Sequence, residues 1–97
     1  MSTPIVRSIT GTSIFNFGDE NNSVINTVSS SALTTTNVKS LTIIPTATTE
    51  TSLEDFSING VTFSINNIVN NTSFDLTATA SKNASGNYTV TYLITYF

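Results

Sequence analysis

The ten residues that close the chain constrain its fold more than any others. Tyr88, Val90, Tyr92, Ile94 and Tyr96 alternate with Thr89, Thr91, Leu93, Thr95 and Phe97. A period of two puts successive side chains on opposite faces, which is the geometry of a β-strand and not of a helix. The aromatic and branched face is expected to point inward and the Thr face outward. Leu93 and Phe97 make the second face partly apolar, so that end of the strand is expected to be covered on both sides. The stripe Tyr88, Tyr92, Tyr96 could be a sugar-stacking platform, but its alternation with Val90 and Ile94 favours a core.

The same period runs upstream. Phe74, Leu76, Ala78 and Ala80 alternate with Ser73, Asp75, Thr77 and Thr79, and residues 81–87 join the two runs. The pair reads as an antiparallel hairpin with a loop longer than a tight turn. Residues 56–65 carry a second hairpin signal, because Asn59-Gly60 suits the positive φ angles of a type I′ turn. That turn would set Ile58 opposite Val61 and Phe56 opposite Phe63, on one face. Further strands are expected at 5–10, 13–17, 23–28 and 38–44, separated by Gly11-Thr12, by residues 18–22 and by residues 29–36, with Pro45 ending the fourth. Thr51-Ser52-Leu53-Glu54 matches a weak capping box, worth at most one helical turn.

The predicted fold is therefore all-β: a single domain over 1–97, built as a small antiparallel β-sandwich or barrel of about seven to eight strands, with jelly-roll or immunoglobulin-like connectivity. Composition agrees. Thr, Ser and Asn supply nearly half of the 97 residues, while the helix-surface residues Leu, Ala, Glu and Lys are scarce. A chain of this length has one core and no room for a second.

Charge and residue chemistry exclude several function classes. Only 9% of residues are charged, the net charge is −3 and no basic cluster exists, so neither nucleic acid nor a membrane surface is an expected partner. Met1 to Arg7 lacks the apolar run of a signal peptide, and no segment is long and apolar enough to span a bilayer. With no histidine and no cysteine, the Ser-His-Asp and Cys-His arrangements and the usual zinc sites are absent. Asp19-Glu20 and Glu54-Asp55 are adjacent carboxylates in expected turns, where water keeps both ionised, and Lys39 and Lys82 have no motif around them. No catalytic residue, no cofactor site and no metal site is predicted, and the chain reads as a non-enzyme.

Weaker signals each have a plainer reading. The turn Asp19-Glu20-Asn21-Asn22 has calcium-type oxygens without the spacing of a calcium loop. Asn21, Asn70, Asn71, Asn83 and Asn87 match the glycosylation pattern, as chance allows in a chain of this composition. Lys39 is the one plausible donor for an isopeptide bond, which would need it buried. The Thr-x-Thr pairs at 46/48, 77/79 and 89/91 suggest an ice-binding or glycan-contacting face, but Thr is the ordinary solvent-side residue of a strand and the spacing is irregular.

What remains is a weakly charged strand surface rich in Thr and Asn, with the apolar ends Pro4-Ile5-Val6 and Tyr96-Phe97. Such a surface suits packing against copies of itself or a scaffold, because hydroxyl and amide groups can bond a neighbour without the desolvation cost of charges. In general character the chain resembles the small β-domain structural proteins of tailed bacteriophage virions, notably capsid decoration and head or tail accessory subunits. The resemblance is one of composition over the whole chain and rests on no motif. It implies a structural subunit that binds and stabilises a particle, assembled in the host cytoplasm, with copies of itself and other virion proteins as partners. Pro4, Ile5, Val6, Tyr96 and Phe97 are the expected interface. Two alternatives are a carbohydrate-binding or adhesion module and a fibre subunit that donates residues 5–9 to a neighbour as a strand.

Overall fold

In the computed structural model, which describes residues 5–18, 21–46, 56 and 60–97, the alternating patterns become six strands. They are β1 (Arg7–Asn16), β2 (Asn21–Ser29), β3 (Val38–Thr46), β4 (Thr62–Val69), β5 (Ser73–Ala84) and β6 (Asn87–Tyr96). Two three-stranded antiparallel sheets result, in the orders β1-β6-β3 and β2-β5-β4. The six strands are fewer than the seven to eight expected, in part because residues 5–10 and 13–17 are not separate strands.

Gly11 explains the fusion. It does not turn the chain but sits in the middle of β1 opposite Tyr92. A Cβ there would meet the Tyr92 ring, with Cζ only 2.6 Å away. The glycine lets a buried aromatic cross the strand, a use that calls for close approach and leaves the extended backbone intact.

The inner faces of the two sheets share one core. β6 contributes Tyr88, Val90, Tyr92 and Ile94, and β5 contributes Phe74, Leu76, Ala78 and Ala80. Aromatic edges bridge the layers: Phe74 meets Tyr92 at a centroid distance of 6.4 Å, and Phe15 of β1 meets Phe63 of β4 at 5.4 Å. The inward aromatic face of β6 is thus as the alternation predicts. Leu93 and Phe97, by contrast, are exposed, so among the described residues the second face of that strand is not covered.

The expected hairpin between β5 and β6 does not form. β5 pairs with β2 and β4, while β6 pairs with β1 and β3. Only Ser85 and Gly86 lie between them, and there the chain passes from one layer to the other, with Gly86 at φ +84°. Side by side in one sheet, two strands with apolar inner faces would both still need a cover. In separate layers each covers the other, and burial is worth about 1.5–3 kcal/mol for each large apolar side chain.

The expected pairing of Phe56 with Phe63 across Asn59-Gly60 does not form either, and Ile58 and Asn59 lie outside the described residues. Phe63 pairs with Ala78 of β5, not with Phe56. Phe56 has helical backbone, Gly60 has φ +59°, and the Val61 N–H donates to the Phe56 carbonyl at 3.1 Å. The positive φ of Gly60 thus serves a bond from Val61 back to Phe56 and not a two-residue turn between paired strands. The possible helical turn at 51–54 and the carboxylate pairs Asp19-Glu20 and Glu54-Asp55 lie outside the described residues.

Pro45 does not end β3, which continues to Thr46. It stands opposite Val90 on the sheet edge. Phe97 donates its N–H to the Asn37 carbonyl of the segment entering β3, so the odd residues of β6 face β3 and Val90, an even one, faces β1. Pro45 therefore removes no bond from the ladder.

Candidate functional site

The antiparallel register of β1 and β6 brings the two terminal segments of the chain to one end of the molecule. Arg7 pairs with Tyr96, and one step further the same register sets Val6 beside Phe97. Ile5, Val6 and Phe97 are 68%, 50% and 49% exposed, and Tyr96 is half-buried against the core. Four of the five expected interface residues are thereby gathered in one place. Pro4 lies outside the described residues.

This end is held by a small hydrogen-bonded hub. Asn37 donates through Nδ2 to the carbonyls of Ala32 (3.0 Å) and Phe97 (3.1 Å), and its Oδ1 accepts the Thr34 N–H at 2.8 Å. The β4–β5 turn docks onto the same segment: the Asn71 N–H donates to the Leu33 carbonyl at 2.8 Å, and Asn70 Oδ1 accepts the Thr35 N–H at 2.9 Å. Leu33, fully buried, plugs the space between the layers. Asn71 can close that turn because asparagine tolerates its φ of +59°. The exposed apolar side chains thus stand on a braced end, and Val69 on the last residue of β4 is exposed there too.

The second feature is the outer face of the β1-β6-β3 sheet. Register aligns Ser8, Thr95 and Ser40 in one row, then Thr10, Leu93 and Thr42, then Thr12, Thr91 and Ile44, then Ile14, Thr89 and Thr46. In these four rows every position is a hydroxyl or an aliphatic residue and none is charged; the Asn16–Asn87 pair continues the face at one end, and the exposed Lys39 stands at the β3 bulge beside Ser40. Two side-chain bonds are made within this face, from Thr10 Oγ1 to the Tyr92 carbonyl at 3.0 Å and between Ser40 and Thr95. The opposite outer face differs. Its Asp75 accepts from Thr27 Oγ1 at 2.7 Å and from Asn67 Nδ2 at 3.1 Å, and these two bonds, that of Thr27 foremost, hold the carboxyl below its ordinary value of 3.8. Asn66 bridges Ser64 and Thr77 on that face.

Other sequence signals fall apart or into the core. Lys39 is exposed, so it lacks the burial that an isopeptide donor requires. Tyr88 and Tyr92 are buried, and Phe97 is the sole exposed aromatic among the described residues. The Thr89/Thr91 pair belongs to the uncharged rows and Thr77/Thr79 to the opposite face. What the sequence left unread is the ordering of those uncharged rows, since it needs the register of three strands far apart in the chain.

Among the described residues, no group of three acidic, histidine or cysteine side chains is placed to hold a metal ion. No helix among them is long and apolar enough to cross a membrane. Comparison with known protein families, with curated proteins and with solved structures finds no match to the chain.

Proposed function

We propose that the chain is a non-enzymatic structural subunit of a virion, a capsid decoration or head or tail accessory protein of a tailed phage that binds and stabilises its particle. The observation that carries this reading is the convergence of Ile5, Val6 and Phe97, all exposed, on one braced end of the molecule. Exposed aliphatic and aromatic groups gathered at one place favour contact with another protein over contact with water. The four uncharged rows of the outer face support the reading, because their hydroxyls can be covered without stranding an ion.

The connectivity adds an analogy of fold. β1 pairs with β6 and β2 with β5, while β3 and β4 lie across the core from each other as the opposite edges of their sheets. We read this order as a β-sandwich with the rolled-hairpin winding of a jelly roll, reduced to six strands. The winding serves viral capsid domains and also lectins, so it weighs equally for the second reading, a carbohydrate-binding or adhesion module. The burial of Tyr88 and Tyr92 favours the structural reading, because a glycan platform needs exposed rings.

Deletion of Met1 to Val6 tests the proposal. β1 begins at Arg7, so the deletion spares every described β1–β6 pair. The truncated chain should unfold within a few degrees of the full one while its self-association, followed by sedimentation velocity, is lost. Equal loss of stability and association would place the segment in the fold instead, and binding of the full chain to a glycan array would favour the module.

A further inference from the structure

An edge strand invites pairing with another chain unless a bulge, a proline or a charge blunts it. Among the described residues four strands are edges: β1 and β3 of one layer, β2 and β4 of the other. Three are blunted. The register of β2 shifts between Asn21 and Ser23, that of β3 between Val38 and Ser40, and that of β4 between Asn66 and Val69, where Asn67 has φ +49°. β3 also carries Pro45. β1 has none of these devices: its register with β6 is unbroken from Arg7 to Asn16, and its one charge is Arg7 at the first position.

The direction of its free peptide groups follows from one contact. Asn26 of β2, in the other layer, donates Nδ2 to the Ile14 carbonyl at 2.8 Å and to Ser13 Oγ at 2.9 Å. The Ile14 carbonyl therefore points away from β6. Peptide groups two residues apart on an antiparallel strand face the same way, so those of Ser8, Thr10 and Thr12 face outward too. The odd residues face β6, as the bond from the Phe17 N–H to the Gly86 carbonyl at 2.8 Å requires. Ser8, Thr10 and Thr12 are all exposed.

We propose that β1 is the contact of a symmetric dimer, in which the β1 of a second copy pairs with it antiparallel about a two-fold axis at Thr10. This inference rests on the reading of the chain as an assembling subunit. About that axis Thr10 faces its own copy and Ser8 faces Thr12. One step further, Val6 faces Ile14 at each end of the ladder. These are two large aliphatic side chains left 50% and 57% exposed in the single chain, and the register covers each with the other. On the inner face Ile9 comes opposite Gly11, where no side chain competes for the space, and Arg7 comes opposite Ser13, so no like charges oppose. Sliding the pair to the neighbouring registers sets Val6 against Thr12, or Ile14 against Ser8, and loses the aliphatic match. The product is a closed two-fold pair with a continuous six-stranded layer, and it covers the stretch of the β1 edge from Ser8 to Thr12, beyond which Asn26 already holds the Ile14 carbonyl.

The absence of cysteine makes the test simple. Thr10→Cys introduces a single thiol, and a hydrogen-bonded antiparallel pair holds its Cβ atoms about 5.5 Å apart, wider than the roughly 3.5–4.5 Å of an unstrained disulfide but within easy reach of a short bis-maleimide that bridges two thiols. Treated with that bis-maleimide, Thr10→Cys should run as a covalent dimer at twice 10.3 kDa, whereas Thr42→Cys, exposed on the blunted strand β3, should stay monomeric under denaturing conditions. Thr10→Lys, which opposes like charges at the axis, should weaken self-association of the otherwise unmodified chain at least tenfold, while at a concentration where both chains are monomeric its unfolding temperature should fall only by what the lost Thr10 Oγ1 bond to the Tyr92 carbonyl removes. Self-association in which Thr10→Cys cross-links no better than Thr42→Cys would overturn β1 pairing and leave the assembly reading standing. A chain that stays monomeric would overturn the pairing and count against self-assembly as well.

Discussion

Gly11 has no side chain because the Tyr92 ring occupies the space that one would need. Tyr92 is buried in the core, so the ring cannot swing aside freely. Gly11→Ala should therefore cost about 1–3 kcal/mol, the usual range for overpacking a well-filled interior, read as a lowered urea midpoint with an unchanged slope. An unaltered midpoint would mean that the ring yields without cost. From sequence alone a glycine between two short apolar runs reads as a break, because nothing local names the aromatic that crosses it from position 92. Gly60 teaches the same lesson: its positive φ was legible in Asn59-Gly60, but its partner was not, since Val61 bonds back to the Phe56 carbonyl while Phe63 pairs with Ala78 of β5. The terminal apolar residues Ile5, Val6 and Phe97 were legible as candidates because hydrophobic side chains at chain ends have no obvious core to join.

At the scale of elements, the strands of β5 and β6 were readable and their pairing was not. Period-two alternation names a strand and its inner face, yet it is silent on whether two inner faces lie side by side or opposite each other. The choice is made by the whole core, through contacts such as Phe74 with Tyr92. The segment between β2 and β3 was expected only as a separator, and it proves to be the brace of the terminal end. Its Asn37 side chain bonds three backbone groups, at Ala32, Thr34 and Phe97. Asn37→Ala should leave those groups wanting partners, at a cost of roughly 1–3 kcal/mol if they stay shielded from water. Hydrogen exchange should show the gain in mobility first at the Thr34 and Phe97 amides. Protection unchanged at both would mean that Leu33 and the β4–β5 turn hold the end without Asn37.

The whole molecule measures 50 × 21 × 20 Å, an elongated shape with four uncharged rows on one outer face, an edge strand without a bulge, and Ile5, Val6 and Phe97 gathered at one end. Composition foretold the scarcity of charge, but the arrangement could not be read, since it depends on pairs such as Arg7 with Tyr96, separated by nearly the full chain. A surface of this kind, with few ions to keep copies apart, is suited to packing rather than to free diffusion. The claim common to the terminal patch, the uncharged rows and the β1 edge is that the chain acts by assembling. Light scattering of the purified chain over a wide concentration range tests it most directly. The account predicts a mass that rises above the 10.3 kDa of the single chain to a defined multiple, beginning with the dimer, or onward into filaments. A mass that stays at 10.3 kDa at every concentration would contradict it.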